Sequence, residues 1–148
     1  MRLVPDRNFP PYAFVPGEHP HPTKDPQGHS FGDSEATDPQ AFEWGVDLYE
    51  HGYFWEAHEA WEPLWRPSEG AERSLLAGLI QCAAACLKTR VGESRGARRL
   101  GERAVGHLRE VGGSVRGVDA AVLADGLCAW LASEPGDASG RPRVVSSR

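Results

Sequence analysis

The chain of 148 residues has no apolar run long enough to cross a bilayer. Its longest, Leu75 to Leu87, covers thirteen residues and is interrupted by Gln81, short of the roughly twenty that a spanning helix requires. The opening Met-Arg-Leu-Val-Pro-Asp-Arg lacks the apolar stretch of a secretory signal. Both absences point to a soluble, cytoplasmic protein with no membrane partner. Cysteine is scarce as well. Cys82, Cys86 and Cys128 are odd in number, which without an export signal argues against a disulfide framework and leaves small core residues as the reading. There is no Walker loop, dinucleotide glycine fingerprint or serine-nucleophile elbow, so catalysis by those routes is not expected.

Positive charge is missing from Asp33 to Glu62, which holds nine acidic residues and neither Lys nor Arg. From Lys88 to Arg116 the balance reverses, with eight basic residues against three acidic ones. Two such segments are expected to face each other or water. The net charge of −5 argues against nucleic acid or an anionic membrane as partner. Oligomeric state is left open, a homo-oligomer included.

Residues 1–37 carry seven of the twelve prolines, which excludes a helix and favours an extended arm. Phe9, Tyr12, Phe14, Val15 and Phe31 are more apolar than a freely solvated segment needs, so the arm is expected to lie at least partly on the body of the protein. Within it, His21, Asp25 and His29 could help bind a divalent metal, or could simply hydrogen-bond along the surface.

Glycine and proline then mark out about five helices over 38–133. Asp38-Pro39 opens the first, about 39–51, and Gly52 ends it. The second contains Tyr53-Phe-Trp-Glu-Ala-His-Glu-Ala-Trp-Glu-Pro-Leu-Trp-Arg66, with a kink or early unwinding expected at Pro63. The third, about 71–91, is apolar nearly all round and should be central. Ser94 can cap the fourth, about 95–111, whose core stripe includes His107, and Asp119 can cap the fifth. No convincing strand is found, and 134–148 should form a disordered tail. The expected fold is an all-α, single-domain bundle around a buried central helix, with a Pro-rich extended N-terminal arm.

At about 100° per residue, the second helix puts Phe54, Ala57, Trp61 and Leu64 on one side and Glu56 and Glu59 on the other, with His58 and Glu62 at the border. Four apart, these last two can touch. Three readings follow. In the first, a buried His58–Glu62 hydrogen bond extended to Gln81 fixes the second helix on the third. In the second, His58 and Glu62 join His21, Asp25 or His29 in a composite metal or small-molecule site; neither the zincin nor the di-iron template fits well. In the third, the helical hairpin or the row Arg95, Arg99, Arg103 meets a protein or RNA, although no second copy of the hairpin appears at the tetratricopeptide spacing of about 34 residues and no stacking aromatics accompany the row. Acid–base work by His58 with a carboxylate is chemically open, but the sequence names no reaction.

The order Leu-Tyr-Glu-His-Gly-Tyr-Phe-Trp-Glu-Ala-His-Glu-Ala-Trp-Glu-Pro-Leu-Trp, then Gly78-Leu-Ile-Gln81, then Gly92-Glu-Ser-Arg-Gly-Ala97, resembles the prokaryotic family known as domain of unknown function 309 over about residues 40–110. The resemblance implies a compact all-helical fold in which His58, Glu59, Glu62, Trp65 and Gln81 gather near one another. It implies no activity. The Pro/His-rich arm looks like an extension that some members carry. Glu93 departs from the family pattern, where asparagine is expected.

Overall fold

A computed structural model describes residues 2–25, 38–133 and 138–144. Five helices build the body: α1 (Ala41–Glu50), α2 (Phe54–Trp65), α3 (Gly70–Arg90), α4 (Ser94–Val111) and α5 (Ala120–Ala132). The fold is all-α, apart from a two-residue ladder described below.

Local chemistry sets the boundaries. Asp38 accepts the Gln40 amide through Oδ1 at 2.9 Å, an Asx turn that leads the chain into α1. Gly52, at φ 87°, takes the left-handed conformation that ends α1 and starts α2 after a single further residue. Pro63 lies inside α2, and the helix stops two residues later at Trp65. Ser94 is the first residue of α4 and not its cap; Glu93 holds that position without a side-chain hydrogen bond. Asp119 caps α5, accepting from the amides of Ala121 and Val122. Between α4 and α5, β1 (Ser114–Val115) pairs antiparallel with β2 (Val118–Asp119), Ser114 opposite Asp119. Arg116 and Gly117 join them at φ 51° and 77°, the primed turn that suits a hairpin. The sequence carried no strand signal here, because two residues show no alternation.

α3 runs through the middle, with Leu75, Leu76, Leu79, Cys82, Ala83 and Cys86 wholly buried. It packs between α2 and α4. At Gly78 an added Cβ would lie 2.7 Å from the Leu108 side chain of α4, so the lack of a side chain is what lets the two helices close. α1 and α2 meet as tightly. The Trp61 indole donates to the Phe42 carbonyl at 3.1 Å and lies against Gly45, where an added Cβ would be 2.2 Å from its Nε1.

The ends of the chain complete the core. Asp47, on α1, is buried and accepts the amides of Leu3 and Val4 at 2.7 and 2.8 Å. Phe9 stacks on Trp44 and Tyr53, with ring centroids 5.5 and 4.9 Å apart. Residues 138–144, read from sequence as part of a disordered tail, are instead ordered against α1. Arg141 donates to the carbonyls of Tyr49 and Glu50 at 3.1 and 2.8 Å, Tyr49 Oη donates to the Pro142 carbonyl at 2.9 Å, and Ala138 and Val144 are buried. Composition points to disorder because Gly, Ser, Pro and Arg are frequent there; the buried Ala138 and Val144, the guanidiniums of Arg141 and Arg143 and the Val144 amide hold the segment on α1. Among the described residues, no helix is long and apolar enough to cross a membrane.

Candidate functional site

His58, Glu59 and Glu62 lie within one turn and a half of α2, and a ligand atom from each falls within 4.8 Å of the other two. His58 Nδ1 is 3.4 Å from Glu59 Oε1 and 3.8 Å from Glu62 Oε2. The wheel paired His58 with Glu62 and turned Glu59 away. In the folded helix the longer glutamate side chain swings back, and Glu59 is the nearer of the two. None of the three is sealed in the interior, their side chains being 33, 38 and 31% exposed. The expected buried His58–Glu62 hydrogen bond is therefore replaced by a half-buried triad. Glu62 also holds Arg66, one turn on, at 2.8 Å.

The triad forms a ridge between two cavities. One, about 280 Å³, lies between α2 and α3 under Pro16 of the arm, and Trp55, His58, Glu59, Leu87 and Lys88 line it. The other, about 540 Å³, opens between α2, α3 and α4 and is lined by His58, Glu62, Trp65, Gln81, His107 and Glu110 among others. Four of the five residues in the sequence-derived cluster thus share one cavity, and Glu59 faces the other. Gln81 makes no hydrogen bond to His58 or Glu62. Its Oε1 is buried and has no partner among the described residues. Arg73, on the same cavity wall, is held in place: Nη1 donates to the carbonyls of Trp65, Arg66 and Ser68 at 3.0, 3.3 and 3.3 Å, and the guanidinium lies 4.1 Å from the Trp65 ring centroid.

The arm residues expected to complete a metal site lie elsewhere. His21 hydrogen-bonds Thr23 through Nδ1 at 2.8 Å and meets Trp55 edge-on at 5.5 Å. Asp25 accepts the Tyr12 hydroxyl, a bond that pushes the Tyr12 phenol up to about 12. Among the described residues, neither belongs to the group that gathers at His58. His29 lies outside the described residues.

Sequence reasoning missed Glu56, assigned to the outer face with Glu59. It is wholly buried, and Oε2 accepts the amide of Phe14 at 2.8 Å. The arm runs over the side of α2 that would otherwise be wet, and an irregular segment leaves no periodic trace of what it covers. His107 was assigned to the core stripe of α4 and Glu110 was overlooked; a second His/Glu pair three residues apart was the available signal.

The profile of a family described as Domain of unknown function (DUF309) matches residues 42–100. Comparison with curated proteins and with solved structures returned no match. The matched segment runs from within α1 through α2 and α3 into α4 and holds every member of the half-buried cluster, His58, Glu59, Glu62, Trp65 and Gln81; over residues 42–100 the chain is similar to the DUF309 family, and the match supports that family assignment.

Proposed function

We propose that this domain binds a small organic molecule in the cavity between α2, α3 and α4. The observation that carries the reading is Gln81. Its buried amide oxygen has no donor among the described residues, at a cost of about 1–3 kcal/mol, and the residue is among those lining a space of about 540 Å³, within the size range of small-molecule sites. Trp65, Ala77 and Ile80 supply apolar wall, while His58, Glu62, His107 and Glu110 supply polar groups from facing helices. Pockets that combine apolar walls with a few convergent polar groups are the usual form of such sites.

Gln81→Leu tests this. With no ligand present, leucine removes the unsatisfied acceptor at similar volume and should raise stability by about 1–2 kcal/mol. Ligand-induced thermal shifts in a small-molecule screen should be lost in the same variant. A variant no more stable than the parent, with unchanged screening hits, overturns the reading.

A second reading rests on the triad itself. Zinc and manganese bonds of about 2.0–2.2 Å place neighbouring donors roughly 3 Å apart, and the separations of 3.4 and 3.8 Å need only side-chain rotation to reach that. His58, Glu59 and Glu62 would hold the ion and leave positions open toward both cavities. Arg66 competes for Glu62, so affinity should be modest. Metal analysis of untagged protein and titration with zinc and manganese should find one ion per chain, lost in His58→Ala; an equal metal content in that variant rejects the site.

A further inference from the structure

Every described arginine but three holds a carboxylate or a backbone carbonyl. On α4 itself, Arg98 donates to the Leu131 carbonyl at 3.1 Å and Arg109 to Asp125 at 2.8 Å. The exceptions are Arg95, Arg99 and Arg103, all exposed and all without a partner among the described residues. Four residues apart, they form one ridge about 12 Å long on α4. Like charges at this spacing repel and cost the helix stability, a cost that an anion lying along the ridge would remove. The helix beneath is firmly seated, since an added Cβ at Gly101 would lie 2.7 Å from Leu131, and one at Gly78 of α3 as close to Leu108. Beyond the two ends of the ridge, Gly92 and Gly106 have nothing within 4 Å of where a Cβ would stand, so a long partner has room to run past.

We propose that this ridge binds the phosphodiester backbone of a single-stranded nucleic acid without reading its bases, independently of any ligand in the cavity. Three guanidinium forks in line can each grip a phosphate. A single strand can lay successive phosphates along a straight ridge, whereas in a duplex each strand winds away from it. Phosphate contacts carry no sequence information, and α4 has no Phe, Tyr or Trp on which a base could stack. A second copy of the chain fits less well: carboxylates without a cation partner, such as Glu18, Glu69 and Glu102, are scattered among the described residues and make no matching row. The buried side of α4, Ala97, Gly101, Ala104 and Leu108, leaves no apolar face to enter a membrane. The net charge of −5 acts weakly here, because charges more than about 8–10 Å away are largely screened at physiological salt.

Fluorescence anisotropy of labelled oligouridylate and oligoadenylate, about 16 nucleotides long, titrated with the full chain at several salt concentrations decides the matter. Both strands should bind alike. Three phosphate contacts predict a slope of about −2 for log affinity against log salt, so binding should weaken about twentyfold between about 50 and 200 mM. Arg95→Gln, Arg99→Gln and Arg103→Gln should each remove about a third of the slope, and the triple variant should lose binding while melting no lower than the parent. Glu102→Gln, beside the ridge, should tighten binding, and Arg116→Gln, away from it, should leave it unchanged. No binding at low salt, or binding that the triple variant retains, overturns the proposal. Tighter binding to duplex DNA, polyglutamate or phosphatidylserine vesicles, lost in the triple variant, overturns the partner class and leaves the ridge as a general anion surface.

Discussion

Glu56 on α2 holds the backbone amide of Phe14 at 2.8 Å across a separation of 42 residues. The carboxylate is wholly buried, so the arm and the helix each supply what the other lacks: a donor for a charge out of water and an acceptor for an amide without a secondary-structure partner. Glu56→Ala should lower stability by about 3 kcal/mol, because it strands that amide and leaves a void. Glu56→Gln keeps an acceptor and should cost about half as much. Urea unfolding gives both values, and hydrogen exchange at Phe14 should accelerate in the alanine variant. An arm that stays protected in Glu56→Ala would refute the role assigned to this contact.

His58 should behave oppositely. Read from sequence as one half of a buried pair, its loss would cost several kcal/mol; with a third of its side chain in water, His58→Ala should move stability by less than about 1 kcal/mol. A loss above about 2 kcal/mol in denaturant titration would restore the structural reading of this histidine.

Gly45→Ala probes the close contact of α1 with α2. The new methyl would stand 2.2 Å from Trp61 Nε1, and the indole cannot retreat without giving up its bond to the Phe42 carbonyl. Overpacking of this kind should cost about 3 kcal/mol, read as a lower urea midpoint at unchanged slope. Gly106→Ala, where no atom lies within 4 Å, serves as the control and should be slightly stabilising.

Alkaline pH should weaken the fold. Burial, then the neighbouring Cys82 and Cys86 thiols, push the Tyr49 phenol well above its ordinary 10.0, burial raises Tyr53, and the bond to Asp25 takes Tyr12 up to about 12. A group raised in the folded state stabilises fully below its unfolded value and loses that contribution as pH climbs toward the folded one. Stability should therefore decline from about pH 10 upward. Cys86, raised by burial, adds to the decline from about pH 9, whereas Cys82, lowered by its hydrogen bond with Cys86, opposes it. Tyr49→Phe should flatten the slope of melting temperature against pH; an unchanged slope would assign the effect to other groups.

The helices could be read because glycine, proline and apolar period are local signals. Gly52 and Asp119 each act within a few residues of where they stand. The grouping of His58 with Glu62 could be read for the same reason, since one turn of α2 brings them together. Exposure could not. Whether a side chain on the rim of a helix is wet depends on what crosses it, and here the covering pieces are irregular: the arm over Glu56, and the closing segment against Tyr49. The contribution of α4 to the cavity is not a local signal, because His107 reaches the cavity that His58 lines only through the packing of α4 on α3.

Arg141 and Glu50 also bear on where this protein begins and ends as a physical object. The recurring stretch opens at residue 42, inside α1, yet α1 is fastened on one flank by Leu3 and Val4 at Asp47 and on the other by Arg141 and Val144 at Glu50. Cutting the chain to its recurring portion would bare two carboxylates and a sheet of aromatic rings to water. The unit that packs together is wider than the stretch that matches the family model, and any excised fragment should be judged against the former.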